Sequence, residues 1–352
     1  MNKTARTAIC CAAAALLAVA APARAQGGGI AQSTDVLPVK GIRHVAITVS
    51  DIDATVAFYG KAVPYRVLRR YTVPASRFPA KLLSRRHRTV DIALVEMPTG
   101  FIQLMDFEPG DAAAPGTPHP VTGAGYSHIC FQSWSTNPAI LRFMAAGLAV
   151  ISRFGPRDGV DIGGYGVRYA YGHDPDGIMI ENESLDAPKR GEAAWITHIA
   201  NTVHDRDAML VFYAGVLGRK AHRTIEQENR PRLDDVAGID GLSIRGGWIN
   251  VGNMDIEVWE YVKPRTPAPT GDRTLDTIGY NSFALEVADL SVERARLKKL
   301  SVRLAGGVVT IGGWRVQYAY DPEGNLFAVQ QNVNAGAGES VASRLATAPP
   351  PA

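Results

Sequence analysis

Cysteine is nearly absent. Three occur in 352 residues, and Cys10 and Cys11 lie in the first 25, so the body of the chain holds Cys130 alone. One cysteine cannot close an internal disulfide, and no CxxC zinc site can be built. Cys130 falls in the apolar run Ile129-Cys130-Phe131, which favours a packed core thiol over a nucleophile. Long hydrophobic runs are lacking too. The stretch from Ala8 to Ala21 is shorter than the roughly 20 residues a spanning helix needs, and Pro22 and Arg24 end it. With Lys3 and Arg6 ahead of it and Ala23 and Ala25 behind, it reads as a secretory signal cleaved after Ala25. We therefore expect a periplasmic or secreted protein, with no membrane segment after cleavage.

Charge of one sign is also scarce. The formal balance of +3 comes from 37 basic and 34 acidic residues. The leader carries Lys3, Arg6 and Arg24 and no acid, so its loss brings the basic count down to the acidic one. No basic run remains that could follow a phosphate backbone; Arg85-Arg86-His87-Arg88 is the densest group and reads as a solvated loop. Nucleic acid is excluded as a partner and a small molecule is expected. There is no GxSxG elbow and no P-loop, and Gly163-Gly164-Tyr165-Gly166 precedes a strand instead of opening a helix. Asp234-Asp235 reads as a solvated acid pair.

What the chain does have is a repeat. Arg43-His44-Val45-Ala46 returns as Thr197-His198-Ile199-Ala200, an offset of 154. The same offset relates Phe58-Tyr59 to Phe212-Tyr213, Ile102-Gln103-Leu104 to Ile256-Glu257-Val258, and Gly125-Tyr126 to Gly279-Tyr280. Tyr169-Ala170-Tyr171 with Asp174-Pro175-Asp176-Gly177 returns as Tyr318-Ala319-Tyr320 with Asp321-Pro322-Glu323-Gly324. Each half divides again, because His128 opens a strand 84 residues after His44, and Ser282 stands 84 after His198. Apolar residues at helical spacing predict a helix over Ile52 to Val63 with Asp51 as N-cap, and Val90 to Glu96 alternates as a strand. The unit is βαβββ, used four times, an α+β architecture. The expected modules are 41–109, 124–185, 194–263 and 278–333, joined by Pro-, Gly- or charge-rich linkers. Residues 26–35 and 334–352 have little to bury and are expected to be disordered.

A strand beginning with His and ending at Asp, a Phe-Tyr helix, and a closing Asp-Pro-Asp-Gly followed by Glu181 resemble the vicinal oxygen chelate superfamily of glyoxalase I, extradiol dioxygenases and bleomycin-resistance proteins. The resemblance covers residues 41–333. It implies paired modules forming cupped eight-stranded sheets, with metal ligands from the first and last strands of each module. The matching positions are His44 and Gln103, His128 and Glu181, His198 and Glu257, and Ser282 and Ala328. The fourth module has lost its share, so one site for a divalent ion (Fe, Mn, Zn, Ni or Co) is implied. Neighbour pairing needs no exchange of modules and is the expectation. It makes domains of 41–185 and 194–333, with His44, His128 and Glu181 as ligands and Gln103 and Tyr171 as substrate contacts. The other order, modules two and three together, stays open and gives His128, Glu181, His198 and Glu257.

The family's activities divide three ways on these residues. Glyoxalase-like isomerase or lyase chemistry uses a ligand-position carboxylate as base, which Glu257 supplies and Gln103 cannot. Ring cleavage calls for a His ahead of Tyr171, and that window holds Ile162, Gly163 and Gly164 instead. Non-catalytic binders of the family usually lack the ligands. Trp248, Trp259 and Trp314 are the aromatic residues that could line a channel, with core packing as their alternative.

Overall fold

The computed structural model describes residues 38–108, 117–186 and 194–344. The leader, residues 26–35 and the last eight residues lie outside them, as do parts of two linkers. Module one runs β1 (Val39–Thr48), α1 (Ile52–Ala62), β2 (Arg66–Pro74), β3 (Thr89–Met97) and β4 (Gly100–Glu108). Module two comprises β5 (Gly125–Trp134), α2 (Ala139–Ala146), the short β6 (Ala149–Val150) and β7 (Val160–Asp161), β8 (Val167–His173) and β9 (Met179–Leu185). Module three has β10 (Ala194–Thr202), α3 (Arg206–Leu217), β11 (Arg223–Glu228), α4 (Pro231–Ala237), β12 (Ser243–Asn250) and β13 (Asp255–Lys263). Module four has β14 (Gly279–Val287), α5 (Leu290–Lys299), β15 (Arg303–Ile311), β16 (Trp314–Tyr320) and β17 (Leu326–Asn332).

The repeated Asp that ends each opening strand starts the helix behind it. Asp51 accepts from the Ala54 amide, Asp205 from Ala208, and Asp289 from Ser291 and Val292, each satisfying amides that a helix N-terminus leaves free. Module two has no such Asp, and the Ser133 hydroxyl accepts from the Ala139 amide instead. At the far ends of α3 and α4, Gly218 and Gly238 hold φ near 66° and 68°, a left-handed conformation that side chains resist.

The strands form two sheets, and their order overturns the expected domains. One sheet runs β15-β16-β17-β14-β1-β4-β3-β2 and the other β11-β12-β13-β10-β5-β9-β8-β6, with β7 on β8. Module one therefore pairs with module four, and module two with module three. The seams are antiparallel: His44 stands opposite Ala284 across β1 and β14, and His128 opposite Ala200 across β5 and β10. Domains of 41–185 and 194–333 are not what the chain builds. Sequence neighbours stay adjacent through their helices. Phe58 and Tyr59 of α1 pack on Phe143 of α2, and Phe212 and Tyr213 of α3 meet Phe327 of module four.

The closing Asp-Pro turns explain themselves here. Tyr59 donates to Asp174 at 3.2 Å, and Tyr213 donates to Asp321 at 3.1 Å, so the tyrosine of one module holds the turn of the next. Asp176 accepts from the Ser50 amide, and Glu323 accepts from the amides of His204 and Asp205. The tail also departs from expectation. Residues 337–339 and 341–343 form 3-10 turns, Val341 is buried, and Glu339 pairs with Arg43 at 3.1 Å.

Burial pushes the Asp174 carboxyl up from 3.8 to about 7. The folded chain then keeps a proton that the unfolded chain releases, so this group's contribution to stability is complete below pH about 4 and is lost as pH rises to about 7. Asp174→Asn keeps the acceptor for the Asp176 and Ile178 amides. Urea midpoints at pH 4.5 and 7.5 should show a smaller decline for Asp174→Asn than for the parent. Equal declines would clear Asp174 of the effect.

Candidate metal centre

Strand alternation decides which side chains meet. On β13, Glu257, Trp259 and Tyr261 point to one face; on β9, Glu181 and Glu183 do the same. At the start of β10 the register shifts between Ile196 and Ile199, and Thr197 and His198 both line the cavity below. The seam between β5 and β10 then brings a His and a Glu from each of two modules to one point.

His128, Glu181, His198 and Glu257 are all buried, and their donor atoms lie within 4.8 Å of one another. His128 Nε2 is 3.3 Å from Glu181 Oε2 and 3.3 Å from Glu257 Oε2; His198 Nε2 is 2.8 Å and 3.2 Å from the same two oxygens. Behind the rings, the hydroxyls of Ser127 and Thr197 sit 3.2 Å from the Nδ1 atoms of His128 and His198, which leaves both Nε2 atoms facing the centre. Burial works against every charge here, yet pairing outweighs it: the close carboxylates of Glu181 and Glu257 push His128 up and His198 well up, and the two imidazoles push Glu181 and Glu257 down.

The residues fit a divalent ion. Donors about 2.1 Å from an ion and at right angles to each other are about 3.0 Å apart, which is the spacing found. His128 Nε2 and Glu257 Oε2 make no hydrogen bond although both are buried, a cost that binding a cation would remove. Two imidazoles with two carboxylates suit the first-row ions named above.

His44, expected as a ligand, is not among them. It lies on β1 in the other sheet, in none of the groups of three or more potential ligands found among the described residues. The Arg43 guanidinium approaches its Nδ1 at 2.8 Å, and burial followed by that charge pushes the imidazole well below its usual range. Gln103, expected at the substrate, is on β4 of the same sheet and donates to the Met105 sulfur. The corresponding concave face there is filled: Phe78 and Leu82 from the connection between β2 and β3 pack with Met105, Trp314 and the ligand-position Ala328. The expected pair His128 and Glu181 does come together, and Tyr171 lines the cavity with its ring 5.2 Å from that of His128.

The cavity at the centre, lined by Glu181, His198 and Glu257, holds about 390 Å³, within the range of small-molecule sites. Trp248 and Trp259 line it, while Trp314 serves the filled face. At one end Trp195 donates to Gln132 at 2.9 Å, and Gln132 donates to Glu183 at 2.7 Å. Sequence reading passed over Gln132 and Glu183. The signal was alternation, since they stand four residues after His128 and two after Glu181. His173 takes no part and meets the His119 carbonyl at 2.8 Å.

Two family models match, both described as the Glyoxalase/Bleomycin resistance protein/Dioxygenase superfamily, over residues 43–171 and 195–329. Curated protein sequences gave no match. Glyoxalase I from Zea mays is similar in structure, with a TM-score of 0.57 at 16% identity over 83% of this chain and 92% of that one. A candidate dioxygenase from Bacillus subtilis has a TM-score of 0.55 at 11% identity over 89% of this chain and 92% of that one. At these identities the likeness is one of fold. With both halves matched by models of the same description, the chain belongs to the glyoxalase, bleomycin-resistance and dioxygenase superfamily.

Proposed function

We propose that this protein is a divalent-metal-dependent enzyme of glyoxalase-like isomerase or lyase type, acting on a small substrate that presents two neighbouring oxygens. The observation that carries the reading is the second carboxylate. Ring-opening dioxygenases of this kind hold iron with two His and one carboxylate, keeping positions for both substrate and O₂. Here Glu257 adds a fourth donor beside His128, Glu181 and His198, which leaves at most two positions of an octahedral ion for substrate.

When bound, the ion would supply Lewis-acid polarisation of the substrate oxygens. The chain's own groups do the rest. The Glu257 carboxylate accepts a proton from the carbon beside those oxygens and returns it to the neighbouring carbon. His128, Glu181 and His198 would hold the ion that those oxygens meet, and the aromatic walls exclude water from the exchanging proton. Export, favoured by the leader-like first 25 residues, argues for a substrate other than a glutathione adduct.

Metal analysis after loading with Zn²⁺ or Ni²⁺ tests the site. One equivalent should bind the parent and His44→Ala, whereas His128→Ala and His198→Ala should lose it; retention by His198→Ala with loss in His44→Ala would return the centre to module one. The chemistry is tested by deuterium incorporation from D₂O into a panel of 2-hydroxy ketones, followed by NMR. Exchange should require metal and fall about 100-fold in Glu257→Gln. Oxygen uptake with catechols by the iron-loaded protein, without such exchange, would establish the dioxygenase in its place.

A further inference from the structure

The cavity above the metal centre says what the rest of the substrate must be. Its walls are rich in aromatic side chains: Trp248, Trp259 and Tyr261 from β12 and β13, and Tyr169 and Tyr171 from β8. Trp248 and Trp259 meet edge to face, with centroids 5.3 Å apart and planes at 82°, so together they form a corner in place of a flat wall. Gly246 makes that corner possible. A Cβ at this position would come within 2.6 Å of the Trp259 ring, so only glycine lets the indole lie against the strand.

Trp259 carries the polar clue. It is 9% exposed and lines the cavity, yet its Nε1–H has no hydrogen-bond partner. Indole N–H groups that are buried ordinarily find an acceptor, because an unpartnered donor has lost its water and gained nothing. No carbonyl or side chain of the described residues answers it. The acceptor is therefore one that arrives with the ligand. Two arginines line the cavity: Arg223 stacks over Trp248 at 4.6 Å, and Arg230 donates toward the Ile162 carbonyl, while Asp255 on the same lining is paired with His222.

On the reading of the site as a metal centre for neighbouring oxygens, we infer that its substrate is an aryl compound: a planar ring seated against Trp248 and Trp259, with a ring oxygen that accepts from Trp259 Nε1. Aromatic side chains favour a flat partner because offset and edge-on ring contacts add to the burial of apolar area.

Hydroxamates separate the two parts, since each presents two adjacent oxygens to a metal while the remainder varies. Binding to the metal-loaded protein, followed by calorimetry and tryptophan quenching, should be about 30-fold tighter for benzohydroxamate than for acetohydroxamate. One of the three methoxybenzohydroxamates should exceed benzohydroxamate by about 5-fold, and Trp259→Phe should erase that ratio, so that the two ligands bind the variant alike; a ratio kept in Trp259→Phe would overturn the hydrogen bond to Nε1. Trp248→Leu, at a half-buried position that tolerates change better, should shrink the aryl preference several-fold. Equal affinities for acetohydroxamate and benzohydroxamate, both lost when metal is removed, would overturn the aryl assignment and leave the metal centre standing. No metal-dependent binding of any hydroxamate would bring down the metal reading and this assignment with it.

Discussion

The antiparallel seam between β5 and β10 is the contact on which the rest depends. Neither module alone holds a usable centre: module two brings His128 and Glu181, module three His198 and Glu257, and each pair is a carboxylate and an imidazole held out of water. Burying a carboxylate with too few partners is expensive, and the imbalance would be felt in either half by itself. The seam sets Ala200 opposite His128, so a small side chain faces a large one and the four donors close to the spacing that a cation needs. A one-residue slip would turn these side chains to the opposite face.

The same pairing rule, applied to the outer modules, gives the opposite result. Across β1 and β14, His44 meets Ala284, and the ligand positions of module four are Ser282 and Ala328. No carboxylate demands a cation there, so the concave face can be packed with side chains. Phe78 and Leu82 do this from the connection between β2 and β3. In modules two and three the equivalent connections put Ile162, Leu233 and Val236 along the walls instead and leave the middle open. One sheet has become a core, and the other has kept a cavity.

Much of this was legible in the sequence. The offset of 154, the capping Asp51 and the four βαβββ units follow from spacing and alternation, and the pair His128 and Glu181 from the resemblance those units carry. Pairing did not, and the reason is physical. β1 and β10 are equally apolar and equally alternating, so both offer β5 the same edge, and the helix contacts that keep sequence neighbours together look like sheet contacts from the sequence alone. Charge held the information. Pairing module three with module four would have buried Glu257 beside Ser282 and Ala328, with His198 as its single partner, whereas pairing it with module two gives two carboxylates and two imidazoles. The tail was misread for a related reason: a composition that looks unable to build a core can still complete one. Arg43, sandwiched between Phe101 and Trp314, needs an anion, and Glu339 comes from the tail to supply it.

The four modules thus close on each other by two kinds of contact, strand seams between one and four and between two and three, and helix contacts between one and two and between three and four. The tyrosines join these systems. Tyr59 reaches Asp174 and Tyr213 reaches Asp321, each tying a helix of one module to the turn that leads into the last strand of the next. In module two that strand is β9, which carries Glu181. The first module, which holds none of the four ligands, therefore still bears on the metal centre, because the turn its tyrosine and Ser50 hold fixes where β9 begins. The outer pair, whose own face is filled, thus helps place the four buried side chains of the inner pair through its helix and through the turn contacts of Ser50 and Tyr59.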